Sequence, residues 1–147
     1  MIGVGARAPA FSLSGVSAAG LTAPVLLAFF KITCPTCQLT FPYLQRLADR
    51  GGPRVIGISQ DDAAGTEEFR QAFGVRFETL LDPAADGYAV SNAYGLTHVP
   101  ALVLVEADGS VSWKSEGFAK SELENLAVRW GVTLFEASDR VPAYKPG

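Results

Sequence analysis

Cysteine is scarce in this chain, histidine occurs once, and the chain has no long apolar run and no basic cluster. Each shortage removes a class of function. Two cysteines in 147 residues, three apart, close no long loop, so a disulfide-built secreted scaffold is excluded. The longest apolar run is much too short to cross a bilayer. The net charge is -3, from 12 basic and 15 acidic residues, and no stretch is rich enough in Lys and Arg to read as a nucleic-acid surface. Met1-Ile2-Gly3-Val4-Gly5 lacks the basic and apolar regions of a secretory leader. The expected compartment is therefore the cytoplasm, or an extracytoplasmic or periplasmic one for a chain whose leader has been removed. Hydrophobic residues make up 48% and charged residues 18%, ample for one core, and the length predicts a single domain over 1–147.

The two cysteines stand together in Cys34-Pro35-Thr36-Cys37, directly after the strand-forming run Val25–Phe30 and a short loop, Lys31-Ile32-Thr33. The pair opens a predicted helix from Pro35 to about Arg50. A thiol at a helix N-terminus meets the positive end of the macrodipole and unpaired backbone N–H groups, both of which favour thiolate. Two thiols one turn apart close a small disulfide ring and reopen it by exchange. Cys34, at the helix start, is the expected attacking thiol, and Cys37, a turn further in, the buried resolving thiol.

Hydrophobic periodicity along the rest of the chain alternates strands with helices, which predicts an α/β fold. Residues 8–13 read as an edge strand and Gly15 to Gly20 as a small-residue loop, together an N-terminal extension over 1–24. Pro42 falls inside the first helix, where it removes a backbone bond, and Gly51-Gly52-Pro53 ends that helix. Arg54–Ser59 is the next strand, followed by a helix from Thr66, as N-cap, to Phe73. Asp82-Pro83 is a turn, and Gly87 to Tyr94 a short helix. Ala101–Val105 is a buried strand, and Asp108-Gly109 turns it into a partner strand over Val111–Lys114. Ser121 is the expected cap of a last helix ending near Trp130. Residues 132–147 have no periodicity and read as a tail. Phe29, Phe30, Phe41, Trp113 and Trp130 are expected to pack. Asp61-Asp62 reads as solvated loop and Glu67-Glu68 as the acidic first turn of a helix.

A CxxC that opens a helix after a strand resembles a thioredoxin-like redox motif. Pro42 lies eight residues after Cys34, similar to the helix proline of thioredoxins. Tyr94-Gly95-Leu96-Thr97-His98-Val99-Pro100, ahead of an apolar strand and Asp-Gly, resembles the segment that carries their cis-proline. The unit at about 54–82 and the string Phe41-Pro42-Tyr43-Leu44 resemble TlpA/ResA-like thiol-disulfide oxidoreductases and the broader redoxin (AhpC-TSA) family. The likeness covers roughly residues 8–130. It implies a thioredoxin fold, a central mixed β-sheet flanked by helices. It further implies a cis Pro100 beside the cysteine pair, a Val99 backbone that pairs with an extended substrate, and substrate contacts at Pro35 and Thr36. The implied function is electron exchange with protein thiols and disulfides, maintained by an upstream electron donor, in a monomer with no cofactor beyond the cysteine pair and no metal. Antioxidant activity and cell redox homeostasis follow as its biological setting.

Three departures qualify that likeness. Ala28 stands where thioredoxin has a buried Asp, Thr40 where many TlpA/ResA-like proteins have a Glu, and Thr33 where an aromatic residue is usual. Two alternatives use the same residues. In Sco-type copper chaperones a His in the cis-proline loop joins two cysteines on Cu(I), and Cys34, Cys37 and His98 form a comparable donor set, although those proteins use CxxxC spacing. Peroxiredoxins share the fold, but their Thr or Ser before the peroxidatic Cys and the Pro before that are replaced by Lys31 and Leu27. His98 otherwise serves as a polar rim residue, or tunes Cys34 as an imidazolium, and Lys31 could supply positive charge nearby.

Overall fold

The computed structural model describes residues 1–13, 16–17 and 24–147. In chain order the elements are β1 (Ser12–Leu13), β2 (Val16–Ser17), β3 (Val25–Phe30), α1 (Pro35–Asp49), β4 (Arg54–Ser59), α2 (Ala63–Ala72) and β5 (Thr79–Leu81). A 3-10 turn at Ala84–Asp86 follows, then α3 (Ala89–Ala93), β6 (Ala101–Val105), β7 (Val111–Glu116), β8 (Phe118–Ala119), α4 (Lys120–Val128) and β9 (Tyr144–Lys145).

Five strands form the central sheet in the order β5-β4-β3-β6-β7. β3 and β4 run parallel, as do β4 and β5, whereas β6 is antiparallel to β3 and β7 antiparallel to β6. The sheet is therefore mixed, with β3 in its middle. All six residues of β3 are buried, which is why its sequence is a continuous apolar run rather than an alternating one.

Strand geometry sends successive side chains to opposite faces, and β3 sorts itself accordingly. Leu26, Ala28 and Phe30 join one core with Phe41, Leu44 and Leu47 of α1 and Leu123, Leu126 and Ala127 of α4. Val25, Leu27 and Phe29 join a second with Ile56, Ile58, Leu80, Val90 and Tyr94. In the first core Phe41 stacks against Phe30, Phe69 and Phe77, with centroids 4.4, 5.6 and 5.7 Å apart. That cluster clamps α1, and with it the cysteine pair, to the sheet.

Several elements differ from the sequence reading. The expected edge strand at 8–13 is instead a two-residue strand that, among the described residues, pairs with β2 apart from the central sheet, and Arg7 bridges to Ser110. Of the loop read at Gly15 to Gly20, residues 16–17 form β2 and the rest lies outside the described residues. α2 starts at Ala63 with Asp62 as N-cap, its carboxylate accepting the Gly65 N–H at 2.7 Å. Thr66 is buried inside that helix, its hydroxyl 2.7 Å from that of Ser59, and Glu67-Glu68 falls beyond the first turn. Ser121 lies inside α4, which follows Ala119 with no side-chain cap because β8 leads straight into it.

The largest difference is the tail. Val132, Leu134 and Phe135 are buried in the first core. Asp139 pairs with Arg46 of α1 at 2.6 Å, and Tyr144–Lys145 adds antiparallel to β8.

Candidate functional site

The site forms where β3 ends. Cys34 occupies the N-cap of α1 with extended backbone, and its sulfur accepts the Cys37 N–H at 3.1 Å. Sulfur here takes the part an Asp or Ser oxygen usually plays. Pro35 follows at the first helical position, where a missing N–H costs nothing. The approach loop is held from three sides. The Cys34 N–H donates to Lys31 O at 3.3 Å, the Ile32 N–H to Asp61 Oδ2 at 2.8 Å, and Gln38 Nε2 to Ile32 O at 3.0 Å.

Across from Cys34 lies the Val99–Pro100 peptide, which is cis. The Cys34 thiol donates to the Val99 carbonyl at 3.5 Å. Cys34, Cys37, Val99 and Pro100 are thus brought together from α1 and the segment before β6. Both cysteines are thiols, Cys34 half-buried and Cys37 buried.

The two sulfurs differ in kind. Cys37 is fully inaccessible, and burial pushes its thiol far above the usual cysteine range. The bond to Cys34 adds to that rise, and the Asp61 carboxylate adds a smaller amount. An uncharged thiol is the form that low-dielectric surroundings favour. The positions that could carry an acid beside it do not. Ala28 is buried, and the buried Thr40 hydroxyl is spent on Thr36 O at 2.7 Å.

Thr36 is buried, and its hydroxyl donates to Pro146 O at 2.6 Å. Pro35, Lys31 and His98 are exposed. His98 Nδ1 lies 2.9 Å from the Thr97 hydroxyl. Among the described residues, no three His, Cys, Asp or Glu side chains converge as a metal-holding group. His98 is therefore not brought to the cysteines as a third ligand.

Two acids were not anticipated from the sequence. Asp61 is not solvated loop but a partner of the Ile32 N–H. The parallel register that sets Phe30 beside Ser59 puts it next to the cysteine loop, a signal available only once the strand pairing is known. Asp82 is fully buried and accepts the Val90 N–H at 3.1 Å, the Ser91 N–H at 2.7 Å and the Ser91 hydroxyl at 2.6 Å. It anchors α3, which leads into the cis-proline segment.

Comparison with known proteins agrees with this geometry. The family model described as Redoxin matches residues 4–127. The methylamine utilization protein MauD of Methylobacillus flagellatus is 28% identical over 131 residues, covering 84% of this chain and 62% of the relative. The thiol-disulfide oxidoreductase ResA of Geobacillus thermodenitrificans is 28% identical over 120 residues, covering 75% and 67%. The chain thus spans roughly two thirds or less of the length of these relatives. The thioredoxin domain of a thiol-disulfide oxidoreductase from Bacteroides vulgatus superposes with a TM-score of 0.75 at 22% identity, over 88% of this chain and 98% of that one. The fold is the thioredoxin fold.

Proposed function

The chain belongs to the Redoxin family, and from that premise we propose that it is a thiol-disulfide oxidoreductase acting on protein disulfides through Cys34 and Cys37. One observation carries the reading. A half-buried thiol at a helix N-terminus faces the carbonyl of a cis X-Pro peptide, with a second, buried thiol one turn behind it. The relatives named as thiol-disulfide oxidoreductases support the same assignment.

In the proposed cycle the Cys34 thiolate attacks one sulfur of a substrate disulfide and expels the other as thiolate. Cys37 then loses its proton and attacks the Cys34 sulfur. The ring closes and the substrate's second sulfur leaves. Two electrons pass to the substrate, and both protein thiols give up their protons. The Val99 backbone is the proposed pairing partner for the extended substrate chain, with Pro35 and Thr36 on the opposite lip. The cysteine pair carries the electrons, so no further cofactor is invoked. A donor upstream would restore the dithiol, and the working unit is proposed to be a monomer.

The test is equilibration in glutathione buffers followed by alkylation. One reversible intramolecular disulfide is expected, lost in both Cys34→Ser and Cys37→Ser. A potential near -270 mV (roughly thioredoxin's) would mark a reductant, and one above roughly -180 mV an oxidant or isomerase. If no reversible disulfide forms, the mechanism is wrong.

A further inference from the structure

The segment that follows α4 does more than complete the core. Val141 packs at the edge of the first cluster, and the Ala143 carbonyl accepts the Lys120 N–H at 3.0 Å. Tyr144 and Lys145 pair with Ala119 and Phe118 as an added antiparallel strand. Beyond it the chain crosses the start of α1, where Pro146 O takes the Thr36 hydroxyl at 2.6 Å. It then reaches Gly147, which lies against the Val99 carbonyl, the acceptor of the Cys34 thiol. The approach is so close that a Cβ on Gly147 would sit 2.0 Å from Val99 O. Gly117 allows a second close passage, since a Cβ there would sit 2.6 Å from Lys145 O. Both contacts need glycine.

The segment therefore occupies the lips between which a substrate chain would lie, the Thr36 side and the Val99 side of Cys34. It does so in the extended, strand-adding conformation that peptide substrates adopt. We propose that residues 142–147 form an internal strap that competes with protein substrates for the Cys34–Val99 groove, so that the site opens to a partner only when the strap lifts. The proposal rests on the oxidoreductase reading above and concerns access to that same site.

The mode of binding sets the expected size of the effect. The strap beyond Val141 is held by two hydrogen bonds and a two-residue strand pairing, with Tyr144 through Gly147 otherwise exposed. A few net hydrogen bonds of ordinary strength favour the closed form by about tenfold, and the apparent affinity of a substrate falls by the same factor.

The test uses the full chain carrying Gly147→Val, whose added bulk cannot be accommodated against Val99 O. The rate of exchange with a peptide disulfide and the rate with the small reagent hydroxyethyl disulfide are both measured. Gly147→Val should lower the KM for the peptide by about tenfold with kcat unchanged. A synthetic heptapeptide of residues 141–147, added in trans, should raise that KM again. Equal KM values for the two proteins, or no effect of the heptapeptide, would overturn the strap. If neither protein exchanges with either disulfide, the oxidoreductase reading itself fails, which separates the two ideas.

Discussion

Removing the Asp82 carboxylate should destabilise the protein far more than its place in a turn-like Asp-Pro sequence indicates. The carboxylate is buried and accepts from two backbone N–H groups and one hydroxyl. Both N–H groups belong to the first turn of α3, where helix geometry leaves donors without internal partners. In Asp82→Ala the Ser91 hydroxyl can rotate its proton toward another acceptor while it keeps accepting from Gln60 Nε2 at 2.9 Å. The two N–H groups cannot turn. Each buried donor left unsatisfied costs about 1–3 kcal/mol, so the variant should lose about 2–6 kcal/mol, a large share of the roughly 5–15 kcal/mol typical of a domain. Asp82→Asn keeps one acceptor oxygen and should lose about half as much. Urea unfolding of the dithiol protein at neutral pH measures this, read from the midpoint at unchanged m. Hydrogen exchange at residues 88–96 should quicken more than in α1. A loss below about 1 kcal/mol in Asp82→Ala would refute the reasoning, because it would mean that water or other acceptors reach those donors.

Three other outcomes follow from the same geometry. In Cys34→Ser the remaining thiol, Cys37, should react with iodoacetamide at neutral pH at least about 100-fold more slowly than Cys34 does in Cys37→Ser, since burial disfavours its thiolate; rates within threefold of each other would contradict the burial. Reduction of the pair takes up the Cys37 proton even in mild alkali, so the measured potential should keep falling by at least about 30 mV per pH unit, and a potential that levels off above about pH 8 would count against it. The Arg46 guanidinium holds the Asp139 carboxyl at about 2, below its unfolded value of about 3.9. Its contribution is therefore present above the unfolded value and lost as pH falls toward 2. Asp139→Asn should lower the urea midpoint at neutral pH, and its gap to the parent protein should close between about pH 4 and 2; a gap that stays constant with pH would rule out the charge pair as its source.

The inner strands were readable from the sequence to the residue, at 25–30, 54–59 and 101–105, because each is an apolar run cut off sharply by loop residues. So was the helix that begins after Cys34. Helix starts set by side chains in loops were not. Gly65 disguised the first turn of α2, yet Asp62 caps it, and a Cβ on Gly65 would meet Ile32 Cδ1 at 2.8 Å. The cysteine pair was readable because its chemistry is local, whereas the cis Val99–Pro100 bond came only with the likeness to thioredoxins, since few X-Pro bonds are cis. The Asp61 and Gln38 supports of the cysteine loop were not, because they depend on which strands lie side by side. The tail escaped periodicity because its residues attach one at a time to different elements. Leu134 enters the core, Asp139 pairs with α1, and Tyr144 and Lys145 pair with β8.

How Cys37 is kept ready without a neighbouring acid follows from these placements. A buried carboxyl at position 28 or 40 could take the proton when Cys37 attacks, but its own burial would have to be compensated. This chain puts a methyl group at Ala28 and a hydroxyl committed to the helix at Thr40. That choice removes a destabilising buried charge and leaves Cys37 as a protonated thiol in an apolar wall. Beyond Cys34, the remaining ionisable influence is Asp61, whose oxygen is tied to the Ile32 N–H and whose charge raises the Cys37 thiol further. Burial, the Cys34 sulfur and the Asp61 charge thus oppose its ionisation, and the Lys31 backbone favours it. In the proposed cycle the mixed disulfide takes away the Cys34 thiol or thiolate, whose hydrogen bond and charge both raise Cys37, so ring closure meets a Cys37 that ionises more readily than in the free dithiol.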